Sequence, residues 1–313
     1  MTCVAVLGSI AIDTICRALS TPTLGERTFG EFLGSYYGGM ASNQAVALAN
    51  VGAEAHLLGK VGTGRESTDY LSYLASRGVD TTFLARSSED TVGRTFMFLT
   101  GDGEYFSVVA PGGNEKIDLV DIKRSMDVLK NCSCLMAQLE IDVAIAEAAF
   151  ALARERRMLT VLTISPPERA TRRVLDLSDI VIGNLREARM VLDVSDPLSE
   201  DLKSKLGISK RSYVFTLGKS GSAAWEKATL THEQSLEVAA VDTVGAGDAF
   251  AGAFVGTYLA THDMGKALRR GNIAGALASA VKGAQNYTLT EEILSAKEKL
   301  LAAAGRGEQA VQA

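Results

Sequence analysis

Proline is scarce in this chain, five residues in 313, and there are only four cysteines, three histidines and one tryptophan. So little proline excludes a proline-rich or low-complexity class. The cysteines at 3, 16, 132 and 134 form no C-x-x-C pair and no Cys/His cluster with the spacing of a zinc site, so all four are expected to be reduced and mostly core thiols. His56, His232 and His262 are scattered, which leaves a zinc centre or a Ser-His-Asp triad without support and makes each a structural or solvated side chain. No uncharged apolar stretch reaches about 18 residues. The opening MTCVAVLGSIAID lacks a basic segment and reads as a buried strand, not a secretion signal. A cytoplasmic protein with no membrane partner is the expectation.

Positive charge is also in short supply. Lys and Arg number 32 against 37 Asp and Glu, a net charge of −5, and no Lys/Arg block occurs, so general nucleic-acid binding is excluded. Glycine, in contrast, is abundant at 30 residues, above the usual share of about 7%. Apolar residues make up 47% and charged residues 22%, ordinary values for a globular protein, and the whole of 1–313 is read as a single domain.

Short β-branched runs recur at Val4 to Leu7, Glu54 to Leu58, Cys134 to Gln138, Thr160 to Ile164, Ile180 to Ile182 and Tyr213 to Leu217. Helical patterns alternate with them at Asn43 to Val51, Glu66 to Arg77, Val143 to Arg156, Leu185 to Leu192, Ala246 to Ala260, Lys266 to Val281 and Thr290 to Ala304. That alternation predicts an α/β fold in three layers, with helices on both faces of a mostly parallel sheet. Two stretches break it. Arg94 to Thr100 and Tyr105 to Ala110 flank Gly101-Asp102-Gly103-Glu104, a hairpin signal, and Glu26 to Tyr37 is a third strand candidate. Together they predict a small antiparallel lid built from insertions 14–37 and 91–111, of the kind that closes over a substrate. Residues from about Gly305 to Ala313 are expected to fray, and Trp225, in the strand-like Ser222 to Glu226, is expected in the core.

In an open parallel sheet the ligand lies beyond the carboxyl ends of the strands. The loops there carry Asp13, Gly38-Gly39 leading to Asn43, Glu140, Asn184 with Glu187, and Gly218. The most informative run is Asp242-Thr-Val-Gly-Ala-Gly-Asp248, which enters the apolar helix Ala249 to Val255. Small residues at 245 to 247 expose backbone N–H groups at the positive end of a helix, an arrangement that binds phosphate. The helix end is expected to hold Asp248 ionised at neutral pH, ready to accept a proton from a hydroxyl attacking phosphorus. Asn184 and Glu187, at i and i+3, are placed to hold the water shell of a Mg²⁺ on nucleotide phosphates. Gly218-Lys219-Ser220 is no P-loop, because Tyr213 stands where the first glycine belongs. Gly62-Thr63-Gly64 lacks the third glycine of a dinucleotide fingerprint.

The run DTVGAGDAFAGAFV (242–255) resembles the C-terminal signature of the ribokinase-like, or PfkB-type, carbohydrate kinases. GSIAID (8–13), GGMASNQAVALANVGAEAHLLGKVG (38–62), LMAQLE (135–140), GNLRE (183–187), TLGKSG (216–221) and KGAQ (282–285) resemble that family in order and spacing. The resemblance implies a ribokinase-like fold and an ATP-dependent kinase acting on a hydroxymethyl group of a small carbohydrate. It makes Asp248 the catalytic base and the backbone of Gly245, Ala246 and Gly247 the anion hole. Asp13, Gly39, Asn43 and Glu140 would contact sugar hydroxyls; Asn184 and Glu187 the Mg²⁺ and phosphate region; Thr216, Gly218 and Asn272 the nucleotide. Asp242, Val244 and Gly283 match positions that bind an activating K⁺, and the lids of ribokinases pair into a homodimer clasp.

Ribokinases proper resemble GSINxD and GGKGANQ here, whereas this chain has Ala11 and Met40 at two positions that face the sugar in that family. Losing an amide and an amine changes which hydroxyls are satisfied, so a nucleoside, a ketose or a deoxy sugar stands beside ribose as acceptor. Arg94 is a candidate for meeting an acidic or phosphorylated group, against the plainer reading of a solvated or ion-paired side chain. A sugar-binding regulator without catalysis is the rival from another class, though the base and the anion-hole glycines are both present.

Overall fold

Apolar runs without alternation bury both faces of a strand, and in the computed structural model of this chain they form the middle of a nine-stranded sheet. The structure describes residues 2–88, 90–100, 105–129, 131–196, 198–199 and 211–311. In chain order the first half contains β1 (Cys3–Leu7), β2 (Ala11–Ala18), β3 (Gly30–Gly38), α1 (Met40–Asn50), β4 (Glu54–Leu58) and β5 (Lys60–Gly62). Then come α2 (Arg65–Ser76), β6 (Val79–Asp80), β7 (Ala85–Ser87), β8 (Gly93–Leu99), β9 (Tyr105–Ala110) and α3 (Leu119–Val128). The second half contains β10 (Cys134–Ala137), α4 (Val143–Glu155), β11 (Leu159–Thr163), α5 (Arg172–Asp176), β12 (Ile180–Asn184) and α6 (Leu185–Leu192). It ends with β13 (Ser212–Thr216), β14 (Ser222–Glu226), β15 (Thr229–Glu233), α7 (Ala246–Thr261), α8 (Met264–Ser279) and α9 (Glu291–Val311).

The large sheet has the order β15-β14-β13-β12-β11-β10-β1-β4-β6, parallel from β13 to β6 and antiparallel at the β14 and β15 edge. Separate apolar clusters line its two faces. One joins Val4, Val6, Leu57, Phe250 and Phe254; the other joins Leu7, Met126, Phe150, Phe215 and Trp225. Each large buried side chain contributes about 1.5–3 kcal/mol, so the three layers are held from both sides. On the first face α7 packs on α1. A Cβ on Gly252 would overlap the Gln44 carbonyl, so the glycine lets α7 lie against the α1 backbone.

A second sheet, β3-β2-β8-β9, stands apart. It has four strands rather than the three expected, because Ala11 to Ala18 is itself a strand. It is mixed rather than antiparallel, since β2 runs parallel to β8. Residues 11–18 pair with β3 on one side and β8 on the other, which joins the two insertions into one layer. The Gly101 to Glu104 turn expected between β8 and β9 lies outside the described residues.

Two other expectations are corrected. Cys3 and Cys132 form a disulfide instead of standing as free thiols, while Cys16 and Cys134 are free. β1 and β10 are sheet neighbours, and Ser133 N–H donates to the Cys3 carbonyl at 3.0 Å, so the turn before β10 sets Cys132 beside Cys3. Backbone helix also continues through Gly305 to Val311, where fraying was expected; a helix already propagating gains one bond per added residue. Among the described residues no helix is long and apolar enough to cross a membrane.

Candidate active site

The site lies at the carboxyl ends of β1, β10, β11 and β12, where α1 and α7 begin. Gly245, with φ of 78°, turns the chain into α7, and no side chain caps that helix. A Cβ on Gly245 would overlap the Cβ of Ala284, whereas one on Gly247 meets nothing within 4 Å. The entrance is therefore packed tightly behind and open in front. An uncapped helix start keeps first-turn N–H groups available to an anion.

Asp248 is buried in the first turn of α7 at 7% exposure. Its oxygens accept from Asn43 Nδ2 and Gln44 Nε2, both at 3.0 Å. Each amide is oriented in turn. Gln285 Nε2 donates to Asn43 Oδ1 and to the Tyr70 hydroxyl, both at 2.8 Å, and Gln138 Nε2 donates to Gln44 Oε1 at 2.6 Å. Burial pushes the Asp248 carboxyl up to about 7, opposed by the Asn43 and Gln44 bonds and reinforced by the charges of Glu140 and Asp13. Against the expectation that the helix end holds it ionised at neutral pH stands this burial, the largest influence on the group, which leaves it poised near neutrality.

Asp13, on β2 between Tyr36 of β3 and Thr95 of β8, is raised to about 6 by burial, with a Thr95 hydrogen bond lowering it and Glu140 and Asp242 raising it. Its carboxylate fills the space a side chain at Gly38 would need. Ser9 Oγ donates to Glu140 Oε2 and also accepts from the Met40 N–H, tying the β1 and β10 exits to the start of α1. Gly39 precedes α1, and Met40 is that helix's first residue. Asp13, Asn43, Glu140 and Asp248 thus converge, and their electrostatic coupling marks a pocket rich in hydrogen-bond acceptors.

Asp242 accepts from the Val244 N–H at 3.0 Å and the Gly283 N–H at 3.1 Å, so these three positions meet beside the α7 entrance. Asn184 and Glu187 form a reciprocal capping box on α6, each side chain accepting from the other's N–H at 2.8–2.9 Å. Burial raises the Glu187 carboxyl. Thr216 is the register partner of Asn184 across β12 and β13, and Gly218 opens the following turn with φ of 60°. Asn272, on α8, spends its amide on the Glu233 and Gln234 carbonyls at 2.9 and 3.1 Å, so it braces the exit of β15. Arg94 is ion-paired with Glu66 and bonded to Thr14, which favours the plainer of its two readings.

Sequence reasoning assigned no role to Gln44, Gln138, Tyr70 or Gln285. Gln44 and Gln285 stood inside the quoted GGMASNQ and KGAQ segments, but their contacts cross 204 and 242 positions of chain.

A buried carboxylate behind an open helix start, at the end of a doubly covered parallel sheet, defines a phosphotransferase with an alcohol acceptor. Residues 1–291 match the model of the pfkB family carbohydrate kinases, and the chain belongs to that family. It is 28% identical over 297 residues to a ribokinase of Staphylococcus aureus, covering 93% of this chain and 98% of the relative. It is 26% identical over 292 residues to a deoxyribokinase of Salmonella typhi, covering 90% and 94%. The fold superposes on an Arabidopsis thaliana ribokinase complexed with ribose and ATP at a TM-score of 0.83 and 21% identity, covering 95% of this chain and 99% of that one. The protein is an ATP-dependent, ribokinase-like sugar kinase.

Proposed function

We propose that the protein transfers the γ-phosphoryl group of ATP to the hydroxymethyl group of a pentose, with Asp248 as the base. The observation that carries this reading is the buried Asp248 carboxylate in the first turn of an uncapped helix, behind Gly245, Ala246 and Gly247. The acceptor hydroxyl displaces an Asn43 or Gln44 amide from Asp248 and gives the carboxylate its proton while its oxygen attacks the γ-phosphorus, whose bond to the bridging oxygen breaks and leaves that oxygen on ADP. The N–H groups of the 245–247 turn absorb charge developing on the phosphoryl oxygens. Asp13, Asn43, Glu140 and the Gly39 backbone orient the sugar by its other hydroxyls. Thr216, Gly218 and Asn184 receive the nucleotide at the ends of β12 and β13, and Asn272 supports the wall beside them.

The oxygen donors suit hard cations. Glu187 and Asn184 would face the water shell of Mg²⁺, and Asp242 with the Val244 and Gly283 backbone would hold K⁺; bound there, the two ions supply positive charge to the phosphates and to the anion-hole loop. The enzyme works where ATP is supplied, and the cytoplasm is the proposed location.

Asp248 must be ionised to accept a proton. The fraction of active free enzyme therefore falls as pH drops through about 7, and kcat/KM loses about tenfold per pH unit below it. The Gln44 bond lowers this pKa, so Gln44→Met moves the acid limb to higher pH. A pH profile of ADP release for both proteins checks the shift; an unmoved limb contradicts it. Ribose, 2-deoxyribose, fructose, 2-keto-3-deoxygluconate and adenosine, assayed side by side, identify the acceptor. A pentose is expected to give the highest kcat/KM, and preferred phosphorylation of adenosine would contradict the reading.

The small sheet serves as a lid over the sugar and as a dimer contact. Asp13 and Thr95 lie on one face, while Phe32, Phe96, Phe106 and Val108 are exposed, with Phe96 and Val108 paired across β8 and β9. An uncovered aromatic and aliphatic patch of this kind favours association. Sedimentation is expected to give a dimer that Phe106→Glu dissociates; a monomeric parent protein contradicts the contact.

A further inference from the structure

The amino-terminal edge of the large sheet, opposite the site above, gathers a different chemistry. Cys3 is in register with Glu54, and His56, two residues along β4, is in register with Asp80 of β6. Side chains two residues apart on a strand share a face, so Cys3, Glu54, His56 and Asp80 stand on one side of the sheet, and the turn before β10 adds Cys132. The ligand atoms of Cys3, His56 and Cys132 all lie within 4.8 Å of one another. His56 and Cys132 are buried, at 7% and 5% exposure.

The imidazole is held between two carboxylates, Nδ1 to Asp80 Oδ2 at 2.9 Å and Nε2 to Glu54 Oε1 at 3.1 Å. That is the arrangement in which one ring nitrogen binds a metal and the other keeps a carboxylate that orients the ring. Whichever nitrogen turns to the metal gives up its carboxylate, and a water oxygen would complete a four-ligand shell. Two sulfurs, one imidazole and one oxygen match the tetrahedral preference of Zn²⁺ and exclude hard cations such as Mg²⁺.

We propose that Cys3, Cys132 and His56, once the Cys3–Cys132 disulfide is reduced, hold one thiophilic divalent cation, Zn²⁺ above all. A dithiol reductant supplies two electrons and two protons and is itself oxidised to a disulfide. The bond between the two sulfurs opens to two thiols, and both thiol protons leave to solvent as the cation binds. In the cytoplasm proposed above, thiols are kept reduced, which favours the dithiol as the form that meets metal. The ion clamps β1, β4 and the turn before β10, and the same sulfurs give either a covalent or a metal-bridged closure of this edge.

The full-length protein, reduced and kept free of oxygen, is titrated with Co²⁺ and then Zn²⁺. One equivalent of Co²⁺ is expected to produce a thiolate-to-cobalt charge-transfer band that one equivalent of Zn²⁺ removes, whereas the oxidised protein gives none. Cys132→Ser, left with one thiolate, cuts the band by at least about half, and His56→Gln weakens Zn²⁺ binding at least about tenfold. Alkylation followed by mass spectrometry needs no variant: Zn²⁺ slows modification of Cys3 and Cys132 at least about tenfold and leaves Cys16 unchanged. No band at one equivalent, a band undiminished in Cys132→Ser, or alkylation indifferent to Zn²⁺ overturns the proposal.

Discussion

Asp248→Asn is expected to lower kcat by about 10²–10⁴-fold, the usual contribution of a positioned general base, with ATP affinity close to that of the parent enzyme. Asparagine keeps the size of the side chain and can still accept an amide bond from Asn43 or Gln44, but it cannot take the acceptor's proton. The buried carboxyl already pays a desolvation cost, seen in its rise to about 7, so removing the charge does not unfold the helix start. Steady-state ADP release, with calorimetric ATP binding and a melting curve on the same sample, separates lost chemistry from lost structure. A variant that binds ATP, melts normally and turns over at the parent rate would contradict the role of Asp248.

Gly245→Val is expected to harm both activity and stability. The residue sits at φ of 78°, where a β-branched side chain is strained, and its Cβ would overlap Ala284. Relief requires the helix entrance to move, which displaces the donors at 246 and 247; loss of one oxyanion-type donor costs about 10²–10³-fold in kcat. Overpacking adds about 1–3 kcal/mol of destabilisation. Gly247→Ala is the control, because its Cβ meets no protein atom. It should melt like the parent while raising KM for ATP or lowering kcat, since the methyl occupies the open face where phosphate approaches. Equal activity in all three proteins would remove the anion hole from the account.

Local signals made much of this legible. The parallel strands from Cys3–Leu7 to Ser212–Thr216 are short apolar runs whose burial on both faces leaves little ambiguity, and the entrance to α7 is contiguous in sequence, so Gly245 to Asp248 could be read directly. What escaped depends on which distant segments become neighbours. The parallel pairing of β2 with β8, the sharing of Asp248 between Asn43 and Gln44, and the meeting of Cys3 with Cys132 all follow from sheet order and from α1 packing on α7. The rise of the Asp248 pKa escaped for the same reason: a helix start can be read from sequence, but the depth of burial around its first turn cannot. Asn184 and Glu187 show the converse, a local pair read for metal chemistry that also serves as a helix cap.

The central claim is that the α7 entrance and Asp248 together move a phosphoryl group to a sugar hydroxyl. It is tested most directly by a crystal structure of the enzyme with a pentose and a non-hydrolysable ATP analogue. The account predicts the acceptor hydroxyl about 2.6–3.2 Å from the Asp248 carboxylate, with the terminal phosphate on the N–H groups of Gly245 to Gly247. A pentose bound with its hydroxymethyl group away from Asp248, and a terminal phosphate away from that helix start, would contradict it.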